Sequence, residues 1–289
     1  MHGKKVLITG ANGMLGSSLL NFLQGKDVIG LSSTELDITK AKLVQEKLND
    51  VKPDIIIHTA AFTDVESCQT EPDKAYLINT LGTQNLVNYC VGKDVLFVYI
   101  SSTGIYGNTK QDLAYTEFDH TEPTTIHHQS KHEGEKAVQN HLNKHLIIRT
   151  GWLFGGDVTH QKNFVYKRFL EAKEKEILFS NKDQIGNPTA ISSLIKQILL
   201  LIDKKQYGIF NCVDKAENIS RYDYVKKIVE LFGIECTVKV ASKEMFNRIA
   251  PVSQNESALN YKLDLLGLNI MKPWDKSLQE YIASIKEVH

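Results

Sequence analysis

The chain has 289 residues, 42% of them hydrophobic, and its 34 Lys+Arg are balanced by 34 Asp+Glu. Zero net charge gives no global attraction to nucleic acid or an anionic membrane, and the length suits a nucleotide-binding domain plus a smaller lobe. The most apolar stretch, Ile191–Ile202, is broken by Ser192, Ser193, Lys196 and Gln197 and falls short of a membrane span.

In chain order, Met1-His2-Gly3-Lys4-Lys5 leads straight into an apolar run, so no signal peptide is expected. That run ends in Gly10-Ala11-Asn12-Gly13-Met14-Leu15-Gly16, which spaces its glycines G-x-x-G-x-x-G between a buried strand and an amphipathic helix. Gly10 permits a sharp exit from the strand, Gly13 a close approach of backbone to a pyrophosphate, and Gly16 close packing of helix on sheet. The pyrophosphate of NADP(H) or NAD(H) would rest on the free amides at the helix start, with Asn12 and Met14 beside it. A tight strand–helix turn without a ligand is the plainer alternative.

Further strands are expected at Val28–Leu31, Asp54–His58, Val95–Ser101 and Leu146–Arg149, with helices at Lys40–Asn49, Asp73–Val91 and His127–Leu142. Continuous apolar strands alternating with helices predict an α/β fold, a Rossmann-type doubly wound parallel sheet with ligands at the carboxyl ends of its strands. The second half loses this rhythm. Helices are expected at Phe164–Lys175, Ala190–Ile202, Arg221–Phe232 and Trp274–Ile285, strands at Ile177–Ser180 and Ile209–Val213, and a polar surface loop at Pro251–Lys262. The expected organisation is a dinucleotide-binding domain over 1–160, with 188–215 returning to the sheet, and a smaller interleaved C-terminal substrate lobe from 161–187 and 216–289. Cys68, Cys90, Cys212 and Cys236 form no C-x-x-C pair; they read as reduced thiols of a cytoplasmic protein, and no metal site is expected.

The strand ends carry the informative residues. Ser32-Ser33 stands where an acid would bind a ribose 2′-hydroxyl, which admits NADP, although no arginine claims the phosphate. Asp37 and Ile38 either lie near the adenine or, for Asp37, cap the next helix. Ala60, Ala61 and Thr63 offer small side chains beside the cofactor or reflect close packing. Ser102 ends its strand with a hydroxyl suited to a substrate carbonyl. His127 and Lys131, four residues apart, share one helix face.

With these residues in view, the chain resembles the extended short-chain dehydrogenases/reductases and, within them, the dTDP-4-dehydrorhamnose reductase family. The resemblance runs almost end to end, through Gly10, Gly13 and Gly16, Glu35–Thr39, Ala60–Val65, Ile148–Gly155, Asn163–Val165, Asp183–Thr189 and Lys272-Pro273-Trp274. It implies an NAD(P)-dependent oxidoreductase acting on a nucleotide-linked 4-keto-6-deoxy sugar, dTDP-linked by the same resemblance, in deoxysugar or polysaccharide biosynthesis. Ser102, His127 and Lys131 would be catalytic, Lys131 also holding the cofactor; Ser102, Thr103, Trp152, Asn163, Gln184 and Asn187 would face the sugar nucleotide. No nucleic-acid or membrane partner is implied, and a homodimer is left open.

Three departures stand at the reacting centre. His127 occupies the place of the family's tyrosine, Thr103-Gly104 replace an Asp-Tyr pair, and His128-Gln129 crowd the same edge. The adjacent ammonium would leave His127 neutral at pH 7, an imidazole better suited to accept a proton than to give one. A cofactor-binding or regulatory homologue without turnover, and an epimerase, therefore stay open beside the reductase.

Overall fold

A computed structural model describes residues 3–110, 113–242, 245 and 248–286. Its strands are Val6–Thr9 (β1), Val28–Leu31 (β2), Ile55–His58 (β3), Leu96–Ser102 (β4), His145–Thr150 (β5), Leu153–Phe154 (β6), Ile177–Ser180 (β7), Thr189–Ala190 (β8), Gly208–Asn211 (β9) and Thr237–Val240 (β10). The helices of the first half are Met14–Phe22 (α1), Ala41–Val51 (α2), Val65–Thr70 (α3), Pro72–Tyr76 (α4), Thr83–Cys90 (α5) and Ile126–His141 (α6). Those of the second half are Phe164–Glu174 (α7), Ile191–Asp203 (α8), Arg221–Phe232 (α9), Tyr261–Leu265 (α10) and Trp274–Lys286 (α11).

Six strands form one parallel sheet in the order β2-β1-β3-β4-β5-β9. Alternation along each strand sends side chains to both faces. Val6, Ile8, Ile57, Val98 and Ile148 meet Leu15 and Leu19 of α1 and the apolar stripe of α8 (Leu194, Ile198, Leu201). Leu7, Ile56, Phe97, Tyr99 and Ile147 meet α2, α5 and α6 through Leu48, Leu86 and Val138. Both faces are covered, which explains why these strands read as unbroken apolar runs.

Chain order reverses between β1 and β3, and that switch point opens the ligand crevice. Thr9 pairs with both Leu31 and His58, so β2, β1 and β3 end level. His58 pairs with Tyr99, and β4 runs on to Ser102, which pairs with Thr150. At about 3.3 Å per residue, Ser102 is carried some 10 Å beyond the glycine turn.

A further layer packs α7, α9 and α11 around Phe154, Val165, Tyr224, Ile228, Leu278 and Ile282, with β7 and β10 paired in parallel beside it. β6 and β8 tie this layer to the main sheet through Leu153–Thr189 and Phe154–Ala190.

Three expectations need correction. The single helix over Asp73–Val91 is interrupted by a π-helical turn at Leu77–Gly82, which turns Asn79 inward to bond the amide and carbonyl of Phe62. Pro251–Lys262 is no surface loop: Ser253, Asn255, Ser257, Ala258 and Asn260 are buried. Their polarity serves internal backbone, with Asn255 donating to the carbonyls of Lys110 and Leu113 and Asn260 pairing both backbone groups of Val213. Val65–Thr70 is a helix that the sequence reading did not include, capped by Asp64 accepting from the Ser67 amide.

Candidate active site

A cavity of about 1080 Å³ lies along the crevice and is lined by the expected cofactor residues Gly10, Asn12, Gly13, Met14, Gly16, Asp37, Ile38, Ala60, Ala61, Thr63 and Lys131. Gly10 has φ +70°, and a Cβ there would stand 2.7 Å from the Ala60 backbone. At Gly16 a Cβ would lie 2.3 Å from the Gly10 carbonyl oxygen. Both positions exclude a side chain. No side chain caps α1 at Gly13, so its first amides stay free for an anion.

At the adenosine end, Asp37 does not cap α2, whose N-cap is Lys40. It accepts instead from the Thr39 amide and hydroxyl at 3.0 and 2.7 Å, which holds its carboxyl below the usual range. Ser32 and Ser33 line the cavity at the end of β2, and Glu35, which lines neither cavity, accepts from the Ser32 amide (2.8 Å) and hydroxyl (2.6 Å) behind them.

At the other end of the crevice, Ser102 caps the short 3₁₀ turn Thr103–Tyr106, its Oγ accepting from the Gly104 amide at 3.2 Å. Its own hydroxyl hydrogen is left for a ligand. α6 then delivers His127 and Lys131 to the same cavity. Both side chains are buried, and Lys131 Nζ lies 4.0 Å from the centre of the Tyr99 ring. Burial brings the Lys131 ammonium down to about 7, with Glu135 pulling the other way. His127 is held well below the usual imidazole range, first by burial and only then by His128, Lys131 and Lys162. Its Nδ1 is buried with no partner. The expected neutrality of His127 is present, with desolvation rather than Lys131 as its main cause.

Beneath these groups, Glu135 receives two hydrogen bonds from Arg149, at 3.0 Å from Nε and 2.8 Å from Nη2, with both side chains buried. Arg149 also donates to the Tyr106 hydroxyl at 3.1 Å, which donates to Asn211 at 2.8 Å. Tyr106 is thus fully engaged away from both cavities. Thr103 lines neither cavity; it is buried beneath Gly151, where a Cβ would meet its hydroxyl at 2.5 Å.

A second cavity of about 900 Å³ shares Thr63, Ser102, Gly151, Trp152 and Lys162 with the first, so the two adjoin there. Gln184 lines it with Trp152, as does a cluster the sequence reading missed: Lys162, Lys167, Arg221 and Arg248. Trp152 sits at φ +46°, donates Nε1–H to Glu256 at 2.8 Å, and carries the Arg221 guanidinium 3.5 Å from its ring centre. Burial lowers Arg221 only to about 10, so it remains a cation at neutral pH. Asn163 and Asn187 line neither cavity. Asn163 caps α7 and bonds Asp157 and Tyr281, while Asn187 bridges the Asp214 carbonyl and the Ala258 amide. They hold the walls in place.

A glycine-cradled dinucleotide cavity, with a helix lysine on its wall, meets at a strand-end serine a second pocket lined by Lys162, Lys167, Arg221 and Arg248 together with Asp64, Glu66 and Glu256, and this fits the class of the extended short-chain dehydrogenases/reductases. The family model for the RmlD substrate binding domain matches residues 4–287, and the chain belongs to that family. It is 31% identical over 280 residues to the spore coat polysaccharide biosynthesis protein SpsK of Bacillus subtilis, covering 96% of each chain. A solved dTDP-4-dehydrorhamnose reductase of Clostridium acetobutylicum is 36% identical, with a TM-score of 0.93 over 98% of this chain and 99% of that one. That of Bacillus anthracis, solved in complex with NADP, is 32% identical, with a TM-score of 0.92 over 97% and 99%.

Proposed function

We propose that this protein reduces a nucleotide-linked 4-keto-6-deoxy sugar with NADPH or NADH. The observation that carries this reading is the junction at Ser102, with His127 and Lys131 on the dinucleotide side and a cation-lined pocket on the other. Relatives named dTDP-4-dehydrorhamnose reductase support a dTDP-linked substrate, and the name of the B. subtilis relative supports a place in polysaccharide biosynthesis. Residues 1–160 with 188–215 serve as the cofactor-binding part, and 161–187 with 216–289 as the substrate lobe.

The residues present suit a nicotinamide dinucleotide. Gly10 and Gly16 form a cradle that a Cβ would fill, and the buried Thr150 hydroxyl and His127 Nδ1, both unpartnered, line the same cavity. When bound, the cofactor supplies a hydride. Lys162, Lys167, Arg221 and Arg248 hold the sugar nucleotide's diphosphate, and the Ser102 hydroxyl donates to the carbonyl oxygen. Among the described residues no tyrosine lines either cavity, so the proton comes from nitrogen. His127 passes a proton to the developing alkoxide and regains one from the Lys131 ammonium through water in the cavity, since His127 Nδ1 has no protein partner. The neutral amine left on Lys131 regains its proton from water. An ammonium titrating at about 7 is suited to that part.

The test is incubation with NADPH or NADH and a panel of 4-keto-6-deoxy sugar nucleotides, following nicotinamide absorbance and sugar product together. Equal consumption of both supports the reading. Binding without oxidation would select the alternative of a homologue that has lost turnover, which the absence of a phenol at the junction favours.

A further inference from the structure

His127 and His128 are neighbours on α6, yet they face different cavities: His127 the dinucleotide side, His128 the sugar side with Ser102 and Glu256. Their rings meet edge to face at 4.8 Å. The His128 ring lies directly on Gly104, where a Cβ would stand 2.1 Å from its Cε1 and 2.3 Å from its Nε2. That glycine is not in the left-handed region; what it supplies is room for the imidazole.

The tautomer of His128 follows from its hydrogen bonds. Thr125 is fully buried, and its Oγ1 accepts from the His128 backbone amide at 3.2 Å. Its other partner is His128 Nδ1 at 3.0 Å. The amide has no lone pair to offer, so the Thr125 hydroxyl hydrogen is satisfied only by Nδ1. Leaving it unpaired would cost about 1–3 kcal/mol. Nδ1 is therefore the acceptor, and the ring's hydrogen sits on Nε2.

We infer that His128 Nε2–H is a fixed hydrogen-bond donor to an oxygen of the bound sugar, installed by the absence of a side chain at Gly104. Its role is to orient the sugar beside Ser102, with no proton transferred. The inference rests on the sugar-nucleotide reading above. Ser102, His127 and Lys131 act on the reacting centre; His128 selects the ligand presented to them.

The test measures binding of dTDP and of a reduced dTDP-6-deoxyhexose to the full chain by calorimetry in the presence of NADP⁺. The parent is compared with His128→Phe, which keeps a ring but no donor, and with His128→Gln, whose amide nitrogen lies near the place of Nε2. The sugar adds affinity in the parent. His128→Phe loses about five- to tenfold of that increment, His128→Gln keeps most of it, and dTDP binds all three alike. Gly104→Ala, which displaces the ring, behaves as His128→Phe. Thermal melting of each variant confirms that it is folded. Equal sugar increments in parent and His128→Phe overturn the inference, as does a His128→Phe loss that is the same for dTDP alone. A parent that binds no sugar nucleotide overturns the functional reading instead, and this inference with it.

Discussion

Replacing Gly16 with alanine tests whether the cofactor cradle is set by backbone contact. The new Cβ would stand 2.3 Å from the Gly10 carbonyl oxygen, 2.9 Å from its carbon and 3.0 Å from Ala11 Cα. At Gly13 a Cβ would meet the same oxygen at 3.2 Å, so relieving Gly16→Ala to that level requires the difference, 0.9 Å. The obstacle is backbone at a strand exit, which cannot rotate away as a side chain would. Overpacking of this kind costs about 1–3 kcal/mol, offset by about 1 kcal/mol of helix propensity gained by Gly→Ala. A net loss of about 0–2 kcal/mol lowers the melting temperature by up to roughly 8 °C. Cofactor binding suffers more. A shift of that size takes an amide–phosphate bond from about 2.9 Å out of hydrogen-bonding range, and one bond to a charged group is worth about 1.5–3 kcal/mol, at least a tenfold rise in Kd. Fluorescence titration with NADPH and thermal melting read the two effects. Gly25→Ala is the control, since Gly25 has φ +79° and open space around its Cβ: it loses stability through strain and keeps its affinity. A folded Gly16→Ala protein with unchanged Kd would refute the reasoning.

Three other predictions concern the groups around Ser102. His127→Phe is expected to lose about a hundred- to ten-thousand-fold in the rate of reduction, with little change in NADPH affinity, and parental turnover would make His127 a bystander. Glu135→Gln leaves the buried Arg149 without its carboxylate and is expected to cost about 3–5 kcal/mol in urea unfolding; a loss near zero would show that the pair supports nothing. Lys131 titrates at about 7 in the folded chain and near 10.5 unfolded, so between these values the unfolded state holds the extra proton and stability rises with pH. Lys131→Met is expected to flatten that rise across pH 7–10, and identical pH–stability curves for parent and variant would place the ammonium in water.

The central sheet was legible because β1, β3, β4 and β5 are buried on both faces and can only be apolar runs. Ser102 and the α6 pair His127/Lys131 were legible by position, one at a strand end and two a helical turn apart. What escaped was polar and distant. Asn255 and Asn260 look in sequence like surface residues and Asn187 like a ligand contact, yet each satisfies buried backbone. Lys162, Lys167, Arg221 and Arg248 span more than eighty positions and converge only in the folded chain, Lys167 on α7, Arg221 at the start of α9, and Lys162 and Arg248 outside both helices. Glu35 escaped because its carboxylate returns across a three-residue turn to bond Ser32 from behind. The π turn at Leu77–Gly82 left no mark in the apolar pattern, since one extra residue per turn merely rotates the next face.

Transfer of isotope from cofactor to sugar tests the central claim most directly. The protein is incubated with NADPH deuterated at the transferable nicotinamide C4 position and a dTDP-4-keto-6-deoxyhexose, and the sugar product is analysed by mass spectrometry and NMR. The expected result is one deuterium per sugar, on the carbon that carried the ketone, formed in step with oxidised cofactor. A product free of deuterium, or a bound cofactor that no sugar nucleotide oxidises, would contradict it.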